Sequence, residues 1–405
     1  MGQQIRILHV LGRLDRGGAE TMVMNLYRLL DTGRIQFDFV IHTDEKCDYT
    51  GEIERLGGKI YSVRPFGVST ALGYCREWRQ FFRQHPEYRV IHGHVRSTAS
   101  LYLWEAKRAG LVTIAHSHNT SSGRGFSAFV KNILQYPLRF QADYLFACSK
   151  RAGIWLYGKQ ACGKTNFRIL RNGIEPEIFT FDIEKRRKKR KELLTDSPEI
   201  LSEPLVFLHI GRLETQKNHI FLIEVMREIV KKRKDAQLWL CGVGPLEAQL
   251  KKNVKEAGLE KHIHFLGMRT DVPTLLQAAD GMIFPSLFEG LPVTLVEAQA
   301  AGLPVLMSES ITKEVILTDL VKTLSLDVGA EKWALLALEM AGRYADGRSG
   351  LRMRYGEIIR QSGYDAAENA KALGEFYVDV WYHAEKDKGG RKAKEKVADR
   401  EERSG

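Results

Sequence analysis

No stretch of this 405-residue chain approaches the roughly 20 consecutive apolar residues that a bilayer-spanning helix needs. A membrane-spanning protein is therefore not expected. The first apolar run, Ile5 to Leu11, begins almost at Met1 and lacks a signal-peptide cleavage pattern, so it reads as a first strand. Met1-Gly2 is followed by Arg6 where a myristoylation signal wants Ser or Thr. The five cysteines (Cys47, Cys75, Cys148, Cys162, Cys241) are scattered and never form a CxxC pair. That argues against a zinc ribbon and for a reducing cytoplasm. No GxGxxG occurs, so the dinucleotide fingerprint is missing. Zinc-finger, RNP-type and helix-turn-helix patterns are missing too.

What the chain does have is the balance of a globular protein, with 44% hydrophobic and 27% charged residues. Its length suits two domains with separate cores. The net charge of +11 is partly local. Lys185-Arg-Arg-Lys-Lys-Arg-Lys191 is one basic block, and the tail after Lys386 is a second Lys/Arg/Glu-rich stretch. Such a block is commonly a solvated linker or helix face. Between an anionic membrane and nucleic acid as its partner, the lack of nucleic-acid motifs favours the membrane.

Short β-branched runs alternate with helical patterns. Ile5–Leu11, Phe37–Thr43, Lys59–Val63, Arg89–His92, Val112–His116, Tyr144–Cys148 and Phe167–Leu170 read as strands, with helices at Thr21–Leu30 and Thr98–Ala109. A second series starts at Leu205–Ile210 and continues through Gln237–Cys241, Ile263–Phe265, Gly281–Pro285, Pro304–Met307 and Lys322–Leu326. Alternation of this kind gives a parallel sheet covered on both faces. The expected division is a first Rossmann-like domain over 1–178, a basic linker over 179–203 and a second Rossmann-like domain over 204–363. A helix over 364–384 with Phe376, Tyr377, Trp381 and Tyr382 follows, then a polar tail over 385–405, expected to be disordered or a frayed helix. Ligands in doubly wound sheets bind beyond the carboxyl ends of the strands, so two such domains facing each other would share one interdomain cleft.

Five elements stand where ligands are expected. Gly17-Gly18-Ala19-Glu20 ends the first strand and opens a helix, allowing close backbone approach. Gly211-Arg212-Leu-Glu-Thr-Gln-Lys217-Asn218 puts two cations in a loop after the first strand of the second series, which suits a diphosphate. Cys241-Gly-Val-Gly244-Pro245 is a glycine turn at the next strand's end. The segment Phe284–Gly302 places Glu289 and Glu297 around Gly290-Leu291-Pro292, at the start of a helix. His116-Ser-His118 closes the fifth strand. Taken singly, each has an ordinary reading as turn, cap or surface charge. The i, i+2 pairs His92/His94 and His262/His264 could share a metal on one strand face, but no carboxylates or cysteines accompany them, and structural histidines are the expectation.

In this order the elements resemble the retaining glycosyltransferases of the large family 4 group, over residues 5 to about 382 and most closely those of bacterial capsule and exopolysaccharide synthesis. The resemblance implies an α/β GT-B fold: two doubly wound Rossmann-like domains and a C-terminal helix crossing back to the first. It implies a hexosyltransferase using a nucleotide-diphosphate sugar, a UDP-sugar by expectation, and a lipid-linked saccharide acceptor. Arg212 and Lys217 would neutralise the diphosphate, Glu297 would hold the ribose hydroxyls, and Glu289 would contact the transferred sugar beside the N–H groups of Gly290 and Leu291 and next to Pro292. Gly17 and Gly18 would lie near the phosphates and the acceptor entrance. His116 would sit beside the reacting sugar, with His118 the competing assignment. The same-face, donor-assisted mechanism is likewise implied by the resemblance.

No Asp-x-Asp occurs, so the metal site of the other main transferase fold has no obvious ligands, and neither metal nor cofactor is expected. A retaining hydrolase would need two carboxylates about 5–5.5 Å apart flanking the bond, and no nucleophile presents itself. Arg124–Arg139, with Phe126, Phe129, Ile133, Leu134, Tyr136 and Leu138, mixes apolar and basic residues as an interfacial segment does, or else packs as a core helix. The expected location is cytoplasmic, peripheral on the inner face of the plasma membrane. A nucleotide-sugar epimerase of the same fold is the rival enzyme class, and a nucleic-acid binder using the basic block is the rival outside enzymes.

Overall fold

The computed structural model describes residues 4–118, 126–194, 203–345, 352 and 354–402. The chain forms two compact units, residues 1–173 with 366–405 and residues 174–365.

The first unit is built on a seven-stranded sheet in the order β3-β2-β1-β4-β5-β6-β7. Its strands are β1 (Ile5–Val10), β2 (Ile35–Ile41), β3 (Ile60–Ser62), β4 (Val90–Gly93), β5 (Val112–Ser117), β6 (Tyr144–Ala147) and β7 (Phe167–Ile169). Every neighbouring pair runs parallel. The central strands are mostly apolar, as burial on both faces favours, and β2 is buried at every position. Its Asp38 is answered by Arg6, at 2.6 Å through both guanidinium ends, and by the Tyr88 hydroxyl at 2.7 Å.

The second unit carries a six-stranded parallel sheet in the order β10-β9-β8-β11-β12-β13. Its strands are β8 (Val206–Ile210), β9 (Gln237–Cys241), β10 (Ile263–Gly267), β11 (Gly281–Phe284), β12 (Val305–Ser308) and β13 (Val321–Leu324). In each sheet the strand order reverses direction at one point, between β1 and β4 and between β8 and β11. The loops beyond the carboxyl ends diverge there, and doubly wound sheets bind ligands there.

The chain returns to the first unit through helix Ala366–Glu402. Ala370, Leu373, Tyr377, Val380, Trp381 and Ala384 recur at helical spacing and are buried. All but Ala384 join one apolar cluster with Ile35, Phe37 and Phe146, a fully buried large apolar side chain contributing about 1.5–3 kcal/mol. The helix runs on to Glu402, so the expected disordered or frayed tail is helical backbone over 385–402. Its Lys/Glu/Arg/Ala composition has high helix propensity, which outweighs Gly389 and Gly390.

The basic block is not a linker. Asp182 caps helix Ile183–Leu193 by accepting from the backbone N–H groups of Glu184 and Lys185. Arg186 and Arg190, one turn apart, are buried in the second unit. They converge on buried Asp280: Arg186 Nη2 lies 2.8 Å from Oδ1 and Arg190 Nη1 3.2 Å from Oδ2. Arg186 Nη1 donates to the carbonyls of Gln277, Ala278 and Ala279, at the end of helix Val272–Ala278. A charge-rich string hid a buried ion-pair anchor, so the second unit begins at Ile174 rather than near residue 204. The expected polar segment 195–202 lies outside the described residues.

Candidate functional site

In the second unit the site grows out of the strand reversal. The loop after β8 and the loop after β11 emerge side by side. Leu287 N–H donates to Gln216 O at 2.8 Å, tying one to the other. Asn218, the one non-glycine residue with positive φ among the described residues (φ 55°), turns the chain from Lys217 into helix His219–Lys232. Lys217 thereby faces the β11 loop, where its Nζ lies 2.6 Å from Glu289 Oε1. Gln216 Nε2 donates to the other carboxylate oxygen at 3.1 Å and to Phe288 O at 2.9 Å. Lys217 Nζ also lies 4.9 Å from the centre of the Phe284 ring.

Gly290, Leu291 and Pro292 then lead into helix Val293–Ala300, with Pro292 as the residue before it. Glu297 sits on this helix, half-buried, and no hydrogen bond or ion pair to its carboxylate is found among the described residues. Burial pushes its carboxyl up to about 7. A group poised there accepts hydroxyl donors readily once ionised.

Arg212 is placed differently. Its side chain is 77% exposed and pairs with Glu214 at 3.0 Å. The Lys217 and Glu289 side chains are only 17% and 9% exposed. The structure therefore joins Lys217 with Glu289 and leaves Arg212 exposed, paired with Glu214. Gly244 and Gly242 have a packing reason: a Cβ on Gly244 would lie 2.5 Å from Leu213 O, and one on Gly242 (φ +141°) 2.1 Å from Gly211 O. The glycine turn presses backbone to backbone on the Arg212 loop and fixes it, with Leu213 N–H bonded to Val243 O at 3.1 Å.

In the first unit, Gly17 precedes helix Gly18–Leu29 as expected. Its missing side chain makes room for the Glu20 carboxylate, 2.3 Å from where a Cβ would stand. That carboxylate already lies at this helix start, and burial raises its pKa.

The carboxyl ends of β1, β4 and β5 bring five histidines together, which the sequence reading did not anticipate. His92 Nε2 and His116 Nδ1 are 3.1 Å apart, and His92 Nδ1 lies 2.6 Å from the Tyr377 hydroxyl. A parallel row joins His9 Nδ1 to His94 Nε2 at 3.0 Å and His94 Nδ1 to His118 Nε2 at 2.8 Å. Burial pushes His9 and His118 down to about 3 and His92, His94 and His116 well below the ordinary range, so all five are neutral imidazoles. The signal was present: His-x-His pairs at 92–94 and 116–118 fall at the ends of strands that turn out to be adjacent, and His9 is in register with His92.

His9/His92/His94 and His94/His116/His118 are close enough to be considered as metal ligands. Their rings stack, at 12° between His9 and His94, 19° between His92 and His94 and 27° between His116 and His118. The nitrogen separations of 2.8–3.1 Å are also shorter than the roughly 3.3 Å edge of a tetrahedral zinc site. The geometry is that of hydrogen-bonded rows. His262 and His264 are held separately, by Ala236 O at 3.0 Å and by the Gln237 side chain at 2.6 Å.

Residues 16–178 match the family described as Glycosyltransferase Family 4, and residues 190–341 match Glycosyl transferases group 1. The putative glycosyltransferase EpsF of Bacillus subtilis is 34% identical over 92% of this chain and 96% of its own length. The UDP-Gal:α-D-GlcNAc-diphosphoundecaprenol α-1,3-galactosyltransferase of Escherichia coli is 29% identical over 75% of this chain and 79% of its own. Among solved structures, Anabaena HepE in complex with UDP superposes with a TM-score of 0.74 at 18% identity, covering 93% of this chain and all (100%) of that one.

Proposed function

Since this chain belongs to glycosyltransferase family 4 and has the GT-B fold, we propose that it transfers a hexose or N-acetylhexosamine, with retention, from a UDP-sugar to a lipid-linked saccharide in exopolysaccharide or capsule synthesis. The observation that carries this reading is the Lys217–Glu289 pair at the strand reversal, beside a Glu297 that is close to neutral. Lys217 meets the diphosphate as a point charge and Arg212 swings in as a planar fork. Glu297 takes the ribose hydroxyls, while Glu289, with the N–H groups of Gly290 and Leu291, takes the sugar.

The chemistry follows from those placements. The bond from the anomeric carbon to the phosphate oxygen breaks as positive charge grows on the sugar. Lys217 and Arg212 stabilise the leaving diphosphate, worth about 3–4 kcal/mol for one well-placed group. The acceptor oxygen bonds to the anomeric carbon on the same face, and its proton passes to the departing phosphate oxygen. Two cations supply the charge that a metal supplies elsewhere, so neither metal nor other cofactor is required. In the first unit, His116 is the residue we assign to a sugar contact, and Gly17 and Gly18 are assigned to the acceptor side.

The UDP-galactose and diphosphoundecaprenol in the name of the Escherichia coli relative support a UDP-sugar and a lipid diphosphate as the substrate classes. No helix among the described residues is long and apolar enough to cross a membrane. Attachment at the inner membrane face therefore rests on surface groups, and nucleic acid is not a partner.

A panel of nucleotide sugars tested by thermal shift identifies the donor, because a bound ligand raises stability by mass action. The anomeric configuration of the product, read by NMR with a lipid-diphosphate saccharide acceptor and with chelator present, then tests retention and metal independence. Inversion, or loss of activity in chelator, overturns the respective part. Interconversion of the UDP-sugar without acceptor would identify an epimerase instead.

A further inference from the structure

Tyr377 and His92 are 285 residues apart in sequence, yet the Tyr377 hydroxyl is 2.6 Å from His92 Nδ1. The hydroxyl is fully buried, and His92 is its one hydrogen-bond partner among the described residues. Burial holds its pKa well above the ordinary range, so it keeps its proton. That proton must be placed somewhere, because a buried donor without an acceptor forfeits its solvation. His92 Nδ1 is therefore the acceptor.

The consequence propagates. A neutral imidazole carries one N–H and one lone pair. With the lone pair on Nδ1, His92 holds its proton on Nε2 and donates it to His116 Nδ1 at 3.1 Å. His116 in turn has its lone pair on Nδ1 and its proton on Nε2. That Nε2 is buried and has no partner among the described residues. We propose that Tyr377 is a positioning residue which, through His92, fixes His116 as an Nε2–H donor to an oxygen of the transferred sugar. This rests on the reading of His116 as the sugar-contacting residue. It also defines what His116 does: it donates a hydrogen bond, and its unpartnered nitrogen has no lone pair with which to take a proton.

The parallel row lacks this control. Among the described residues, this row of His9, His94 and His118 ends in nitrogens without a hydrogen-bond partner, His9 Nε2 and His118 Nδ1, and neither end meets a hydroxyl. Its polarity can run either way. Of the two histidines in the His-Ser-His pair, only His116 has a dictated tautomer.

The test uses the full chain labelled with ¹⁵N-histidine. Long-range ¹H–¹⁵N correlation should show His116 protonated on Nε2, and Tyr377→Phe should shift it to Nδ1 or to a mixture. Tyr377→Phe should also lower kcat at least about tenfold without changing UDP affinity. His116→Gln supplies an amide N–H near the Nε2 position whatever His92 does, so in that background Tyr377→Phe should cost less than about twofold. His92→Phe keeps the ring, removes both nitrogens and should reproduce the loss if Tyr377→Phe fails to fold. His116 protonated on Nδ1 in the parent, or a tautomer unmoved by Tyr377→Phe, overturns the relay. An equal penalty in the His116→Gln background assigns Tyr377 to packing alone and overturns the proposal. A tautomer that moves while transfer does not overturns the sugar contact of His116, and the spectrum separates that failure from the first.

Discussion

Lys217 Nζ sits 2.6 Å from Glu289 Oε1 across 72 residues of sequence, each on a loop leaving one of two adjacent strands, β8 and β11. The pair joins the group assigned to the diphosphate to the group assigned to the sugar. With both side chains largely buried, each holds the other in a single position. Gln216 completes the arrangement on the second carboxylate oxygen. A donor entering here meets an ammonium already oriented, which lowers the cost of organising the site during reaction.

Lys217→Ala should lower kcat/KM for transfer by about 10²–10³-fold, the range seen when one charge-stabilising donor is removed. Glu289→Gln retains the shape and one acceptor but releases Lys217, so its larger effect should fall on kcat. Steady-state rates with the identified donor check both, with thermal melting to confirm folding. Parent-like rates in Lys217→Ala would remove the lysine from the mechanism.

Glu297 should make stability depend on pH. Its folded-state value of about 7 is above the ordinary 4.5, so the folded chain binds the proton more tightly than the unfolded one. The contribution is full below pH 4.5 and fades as pH rises from there, being lost once pH passes about 7. Relative to Glu297→Gln, the parent should lose up to about 3 kcal/mol across that window, measured by denaturant unfolding at each pH. Ribose hydroxyls donating to the carboxylate favour its ionised form. UDP binding near neutral pH should therefore release a proton, seen as a heat that varies with the buffer's ionisation enthalpy. Glu297→Gln should abolish that release, and proton-neutral binding in the parent would contradict the assignment.

The sequence made both sheets legible because parallel strands buried on two faces read as β-branched runs between turns. Lys217, Glu289 and Glu297 could be placed at strand ends and a helix start by the same logic. The links between them could not. Nothing local to Gln216 signals that it bonds a residue beyond the next three strands. The basic block misled for a definite reason. Charge content does not reveal which face of a helix is buried, and Arg186 and Arg190 differ from Lys185 and Lys188 only in pointing at Asp280. The histidine rows depended on β1, β4 and β5 being neighbours, which is a property of strand order and not of any one segment. Gly244 is expected from the sequence to lie where a ligand passes, and what the structure shows there is the close backbone of Leu213.

Arg186→Ala should destabilise the protein by about 3–5 kcal/mol, because it leaves Asp280 short of charge in a buried setting. Changing the exposed Lys185, Lys188 and Lys191 to Gln should alter stability by no more than about 0.5 kcal/mol each. Unfolding in urea measures both. A small effect at Arg186 would show that the helix is a dispensable addition to the second unit.

The first unit exposes a group of large apolar side chains, which we propose as its membrane-facing surface. Phe129, Ile133, Tyr136 and Phe140 are 59%, 56%, 56% and 70% exposed. The first three come from the described part of the segment expected to be interfacial, 124–139, and Phe140 directly follows it; Arg124 lies outside the described residues. The helix Phe126–Gln135 is not a core-packing helix on that face, since its inner side is tied to the neighbouring helix by Ser100 donating to Leu134 O. Arg139 lies 4.3 Å from the Tyr136 ring centre, and Lys131 is exposed beside the apolar group. Four exposed apolar side chains with flanking cations suit insertion among anionic head groups. The protein should therefore sediment with phosphatidylglycerol vesicles and much less with phosphatidylcholine vesicles. Raising salt from about 0.05 to 0.5 M should weaken binding without abolishing it, because screening removes the charge attraction and leaves apolar insertion. Phe129→Ser with Phe140→Ser should reduce vesicle binding at least about tenfold while leaving UDP affinity unchanged, since both residues lie in the other unit from Lys217 and Glu297. Equal binding to both vesicle types would exclude the charge component. Full binding by the double variant would exclude this face as the docking surface.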